Sequence, residues 1–253
     1  PLGTKFLVST HAYASDPELT RLMVFLPTDD LAETERYLKK CEAEAAKERP
    51  QFYEMAVLLD GRHIGSVSAY LEENGTAWEL GWIISRKAHG CGYAAEAARR
   101  FSGLAENYIT LNEPECTVKL GHGTGVHAPG LRLPEARQLL VLHHQLLAHG
   151  LAAAAIRETC PGVRVGIAAT GRLCWPGTDS PADVEAACSA TFATPDSDWA
   201  STYQMVLDPV CFGHYPENCG PGLRRMTAAL PAEDLAVIHI RPDFIGLNIY
   251  NGH

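Results

Sequence analysis

The chain has 253 residues, of which 46% are hydrophobic and 20% charged, and its net charge is −9. That is the composition of a globular protein with room for one large domain or two modest ones. The acidic balance excludes a nucleic-acid binder, which needs a basic face, and the lack of a long uninterrupted apolar run argues against a membrane partner. The opening PLGTKFLVST has neither the charged nor the apolar region of an export signal, so the expected compartment is the cytoplasm. Cysteines 41, 91, 116, 160, 174, 188, 211 and 219 include no C-x-x-C pair. They are expected to be reduced and mostly buried thiols, and no metal site is expected.

The first half reads as helices followed by an antiparallel meander. Asp16-Pro17-Glu18 is a helix start, with Pro in the first turn and acid at the positive end of the dipole. Leu31 to Lys47 is an amphipathic helix. Phe52–Leu59 and Ile64–Leu71 are strands around an Asp60-Gly61 hairpin turn, and Asn74-Gly75 leads into a third strand, Thr76–Ser85. A helix over Gly92–Glu106 follows.

Between that strand and helix lies Lys87-Ala88-His89-Gly90-Cys91-Gly92, then Tyr93. Glycines let a backbone approach a phosphate, and the following helix points free N–H groups at it. With the flanking WELGWII and GYAAEAA, this stretch resembles the pyrophosphate loop of GNAT N-acetyltransferases, although Lys87 stands where the family has Gln or Arg. The resemblance implies acetyl-CoA as cofactor, held by Lys87, Ala88, His89, Gly90, Cys91, Gly92 and Tyr93. It also implies Glu79 as a catalytic carboxylate that helps deprotonate the acceptor amine, a solvated strand-end Glu being the alternative. His63 and His89 read as turn or surface residues. The later GNAT strands are not found in the text of the sequence.

The second half begins at the strand YITLNEP (108–114) and continues with GHGTGVHAPG (121–130). Next come the helix VLHHQLLAHGLAAAAIR (141–157), the strand VRVGIAAT (163–170), LDPVCFGHYP (207–216) and the strand DFIGLNIYNGH (243–253). A strand that runs straight into Asn-Glu-Pro places Glu113 at its mouth, since Pro114 ends the ladder. His143, His144 and His149 lack the i, i+4 spacing of paired ligands and read as packing or surface residues. His122 and His127 read as loop residues.

These phrases, in this order, are similar to the middle of a family 1 glycoside hydrolase, the β-glucosidase and 6-phospho-β-glucosidase family. The resemblance implies a partial (β/α)8 barrel over 108–253 that follows a partial GNAT α/β sheet over 1–107, so a mixed α/β chain. It implies a small-molecule sugar as substrate and no cofactor. Glu113 would be the catalytic acid/base, and Asn112, Asn248 and Tyr250 would bind the sugar. A retaining enzyme also needs a nucleophilic carboxylate, carried in this family by an I/V-T-E-N-G strand, and no such motif occurs. Three functional expectations follow: a glycosidase inactive by itself, an acetyl-CoA-dependent acyltransferase, or a non-catalytic fusion of two fragments. At the junction, YITLN is expected to pair beside TAWELGWII, and exposed sheet edges make a homo-oligomer plausible.

Overall fold

The structure, a computed structural model, describes residues 1–23, 27–72, 77–102 and 106–250, with only the backbone of Arg99, Phe101 and Ser102. It divides into two compact units, Pro1–Leu104 and Ala105–His253. Both mix helices and strands, as expected.

The first unit starts with α1 (Leu7–Ala14), α2 (Pro17–Thr20) and α3 (Leu31–Ala45). The Asp16 carboxylate accepts from the N–H groups of Glu18 and Leu19, and Asp30 caps α3 through the N–H of Ala32. The antiparallel sheet β1 (Phe52–Leu59), β2 (Arg62–Leu71) and β3 (Trp78–Ile84) follows in sequence order, and then α4 (Tyr93–Ser102). Asp60 and Gly61 both have positive φ, 49° and 77°, the conformation a two-residue hairpin turn demands. The Asn74-Gly75 turn lies outside the described residues.

β2 is the buried centre of this sheet. On it, Gly65 passes so close to β3 that a Cβ would lie 2.1 Å from the carbonyl oxygen of Ile83. On β1, the buried Glu54 accepts hydrogen bonds from the hydroxyls of Tyr37 and Tyr70, both at 2.7 Å. Burial, and then the Glu54 charge, push both phenols well above their ordinary range. His63, expected as a turn or surface residue, is partly buried just after the Asp60-Gly61 turn. It sits on β2 against the Phe6 ring, with Nδ1 2.7 Å from Ser9 Oγ, and burial lowers its pKa.

The second unit is built on a parallel sheet of β4 (Asn107–Asn112), β5 (Arg164–Thr170) and β6 (Phe244–Asn248), in that order. A single helical turn, α5 (Pro114–Cys116), a π-helical stretch over Thr117–Gly123 and the long α6 (Glu135–Thr159) connect β4 to β5. Between β5 and β6 come α7 (Pro181–Thr191), α8 (Gln204–Phe212), α9 (Pro221–Thr227) and α10 (Ala232–Ile238). Sequential parallel strands joined through helices are the arrangement of a barrel segment. β5 is buried along nearly its whole length. On β4 and β6, Ile109, Ile245 and Leu247 stay exposed.

The core of this unit joins Leu139, Leu142 and Leu146 of α6 to Ile167 of β5, Met205 of α8 and Ile238 of α10. α6 has the length and hydropathy of a membrane span, yet it packs against β4, β5, α8, α9 and α10. His143 and His149 lie on its buried side. His143 Nδ1 is 2.9 Å from the Tyr215 hydroxyl and its Nε2 is 3.1 Å from Asp234 Oδ2, which ties α6 to α10. His149 Nδ1 meets Thr110 Oγ1, and burial lowers its pKa to about 4.

Two expectations are corrected here. β4 pairs with β5, and β3 pairs with β2 in the other sheet, so the strands on either side of the junction are not neighbours. The reason is the mostly buried β5, which offers β4 a parallel ladder and an apolar face. The thiols are all free, but only Cys41 is buried, while Cys91 and Cys188 are exposed.

α6 crosses α10 at Gly150, where a Cβ would lie 2.0 Å from the carbonyl oxygen of Val237. Backbone cannot yield as a flexible side chain does. Gly150→Ala is expected to cost about 2–3 kcal/mol by overpacking, read as a lower urea midpoint for the second unit, and an unchanged midpoint would contradict the close crossing.

Candidate active site

β4 ends where its register with β5 breaks, between Ile109 and Asn112. Asn112 still pairs with Ala168, and the next N–H, that of Glu113, donates to the Ala168 carbonyl at 2.9 Å. Pro114 then opens α5. To connect ladder and turn, Glu113 takes the left-handed conformation, φ 49° and ψ 56°, unusual for a residue with a long side chain. The backbone therefore fixes the carboxylate at the strand mouth.

Three donors meet it there. Asn248, at the end of β6, donates from Nδ2 to Glu113 Oε1 at 2.6 Å and to Asn112 Oδ1 at 3.0 Å. The Tyr250 hydroxyl donates to the same Oε1 at 2.5 Å, and the Cys116 thiol to Oε2 at 3.3 Å. The Asn248 carbonyl accepts from Thr170 Oγ1 at 3.2 Å and from the Tyr203 hydroxyl at 3.1 Å, which holds the end of β6 to β5. Asn112, Glu113, Asn248 and Tyr250, expected at one site, thus form one hydrogen-bonded cluster.

Partial burial works to raise the Glu113 pKa, but the donors Tyr250, Asn248 and Cys116 outweigh it and hold the carboxyl below its ordinary value. Glu113 is accordingly a carboxylate at neutral pH. The Tyr250 phenol is raised in turn by its bond to that charge. Cys116 is pushed up to about 11, by burial first and then by Glu113.

Sequence reasoning passed over Glu115 and Tyr203. Glu115 is only 2% exposed, and neither of its oxygens has a well-formed hydrogen bond. Burial pushes it up to about 8, and the Glu113 charge adds to this, against weak polar support from the backbone of Thr170 and of Glu115 itself. A Glu after Asn-Glu-Pro carries no signal of burial, because the turn that directs it inward depends on the left-handed Glu113.

In the first unit, Lys87, His89, Cys91 and Gly92 are exposed before α4 and Ala88 is buried. Gly90 and Gly92 have φ of 75° and 80°, with open space where a Cβ would stand. α4 begins at Tyr93, so its first N–H groups lack intrahelical acceptors. That bare cradle fits a pyrophosphate. His89 Nε2 is 2.6 Å from the Ile84 carbonyl, which braces the loop. Tyr93 packs against Ile64, Ile84 and Ala88, so it supports the loop from the core side. Glu79 is exposed on β3 opposite Tyr70, and its side chain makes no ion pair or hydrogen bond among the described residues.

Tyr250→Phe and Asn248→Ala each remove a donor to Glu113. Each is expected to raise the Glu113 pKa toward its ordinary 4.5, measured on carbon-13-labelled glutamate by NMR. By linkage, a carboxyl lowered in the folded state adds stability above 4.5 that is lost as pH falls through the folded value. Both variants should therefore show less of this acid-side loss than the wild type, and an unmoved midpoint would mean that the cluster does not hold the charge.

The family model for glycosyl hydrolase family 1 matches residues 69–253, and that for the acetyltransferase (GNAT) domain matches residues 7–122. The chain is 36% identical over 171 residues to the β-glucosidase of Agrobacterium sp., covering 67% of this chain and 35% of the relative. It is 30% identical over 161 residues to β-glucosidase A of Thermotoga maritima, covering 64% and 34%. A β-glucosidase from Thermotoga maritima in complex with noeuromycin superposes at a TM-score of 0.50 and 31% identity, over 64% of this chain and 35% of that one. The chain thus spans about a third of the length of the relatives it matches. On the match over 69–253, the chain belongs to glycosyl hydrolase family 1.

Proposed function

We propose that the second unit carries the acid/base end of a β-glucosidase site that acts on O-glycosyl bonds of a small sugar. The observation behind this reading is the convergence of Asn112, Glu113, Asn248 and Tyr250 at one strand mouth. As an acid, Glu113 has to carry a proton, which the Asn248 and Tyr250 donors oppose. A sugar whose hydroxyls take up those donors would free Glu113 to bind a proton and pass it to the glycosidic oxygen. Asn112 and Asn248 then orient the sugar. The two-step retaining reaction also needs a nucleophile roughly 5–5.5 Å from the acid. Among the described residues no other carboxylate is hydrogen-bonded into the cluster. Hydrolysis by this reading calls for a second carboxylate beyond those of residues 1–253, and these residues alone bind without turning over.

Calorimetric titration with noeuromycin tests the reading. The chain is expected to bind it, and Glu113→Gln to bind it at least about tenfold more weakly, the loss of one charge-assisted hydrogen bond. No binding, or undiminished binding by the variant, would end the reading. An aryl β-glucoside should be hydrolysed no faster by the chain than by the variant.

A second reading rests on the first unit. Family 1 glycosidases need no cofactor, whereas GNAT domains use acetyl-CoA, which supplies the acetyl group. The Gly90 and Gly92 loop before α4 supports binding of its pyrophosphate, with Lys87 adding positive charge and Glu79 free to accept a proton from an amine. Acetyl-CoA should raise the unfolding temperature of the first unit by mass action, and no shift at millimolar ligand would remove this reading.

A further inference from the structure

Glu113 precedes α5 and Glu115 lies within it, in opposite surroundings. Glu113 accepts hydrogen bonds from Asn248, Tyr250 and Cys116. Glu115 is buried, and its two oxygens lack well-formed hydrogen bonds. An ionised carboxylate stripped of water without a partner is costly, and a group so placed keeps its proton.

Among the described residues, nothing that packs against α5 offers Glu115 a counter-charge. Lys119, on the π-helical stretch, is 2.9 Å from Asp198, and His122 Nδ1 is 3.0 Å from the Thr117 carbonyl. On α6, His143 meets Asp234 and Tyr215, His149 meets Thr110, Arg157 pairs with Asp243, and Glu135, Arg137, His144 and Glu158 are exposed. Arg164 lies at the opposite end of β5, and Thr170 contributes only backbone. Beside the turn Trp199–Ser201, Asp198 is engaged with Lys119, while the Tyr203 phenol feels both Glu113 and Glu115 and donates to Asn248.

We propose that Glu113 and Glu115 act as a pair that holds one negative charge, on Glu113, and one proton, on Glu115, and that Glu115 is a positioning residue whose neutral, protonated side chain leaves Glu113 ionised and seated. If Glu115 loses its proton, the mouth carries two adjacent charges. Either Glu113 then binds a proton more tightly, or Glu115 moves to water and pulls α5, and with it Glu113, out of place. The role in sugar binding rests on the glycosidase reading, while the shared proton does not.

Carbon-13 NMR titration of glutamate-labelled protein without ligand tests the pair. One carboxyl is expected to titrate near pH 8 and to vanish in Glu115→Gln, and another to titrate below 4.5 and vanish in Glu113→Gln. In Glu113→Gln the upper midpoint should shift down, because its charged neighbour is gone. Glu115 is raised in the fold, so the stability it confers is complete below 4.5 and is lost as pH rises to about 8. Over that window the unfolding constant of the wild type should climb about tenfold per pH unit relative to Glu115→Gln. All carboxyls titrating in the ordinary range would overturn the pair, as would an upper step unmoved by Glu113→Gln. If Glu113→Gln does not fold, the wild-type titration and Glu115→Gln still decide. Noeuromycin affinity that falls above about pH 8 in the wild type and persists in Glu115→Gln supports the positioning role; parallel falls would refute it. Failure of noeuromycin to bind either protein would count against the glycosidase reading and leave the titration result standing.

Discussion

The ladder that β5 offers its two neighbours brings Asn112, Glu113 and Asn248 of the candidate site together. β4 pairs with it up to Asn112, the Glu113 N–H takes the Ala168 carbonyl, and β6 pairs with it as far as Asn248. Parallel strands of this kind need both edges served and an apolar face covered, and the buried β5 with α6 behind it provides both. Because the three strands run the same way, their carboxyl ends coincide, and side chains distant in sequence meet there. The distance from Asn112 to Asn248 is bridged by backbone hydrogen bonds before any side chain is involved.

Much of this was legible beforehand. The turn pair Asp60-Gly61 announces its hairpin, the Asp16-Pro17 step announces its cap, and Asn-Glu-Pro announces a carboxylate at a strand end, because each signal is local chemistry. That Asn112 and Glu113 would meet Asn248 and Tyr250 was readable only through family likeness. No spacing rule links positions 112 and 113 to 248 and 250.

What was not legible depends on tertiary surroundings. The helices α8, α9 and α10 have short apolar faces that gain definition only against α6. His63 and His143 read as surface or packing residues, and what the sequence could not supply was the partner, Ser9 in one case and Tyr215 with Asp234 in the other. Glu115 is the sharpest instance, since an acidic residue is normally read as solvated, and only the fold removes it from water. The pairing of β4 follows the same logic: a β-α-β pattern fitted two different sheets equally well, and the more deeply buried strand took it.

The left-handed backbone of Glu113 has an evolutionary reading. Glycine would adopt φ 49° and ψ 56° without the cost a side chain incurs, and asparagine with less of it. A chain selected only for stability would therefore drift away from glutamate at this position. Its presence marks a place where fold and chemistry pull in opposite directions. A stabilised descendant carrying Glu113→Gly or Glu113→Asn would be a natural record of a lineage in which the carboxylate had stopped mattering.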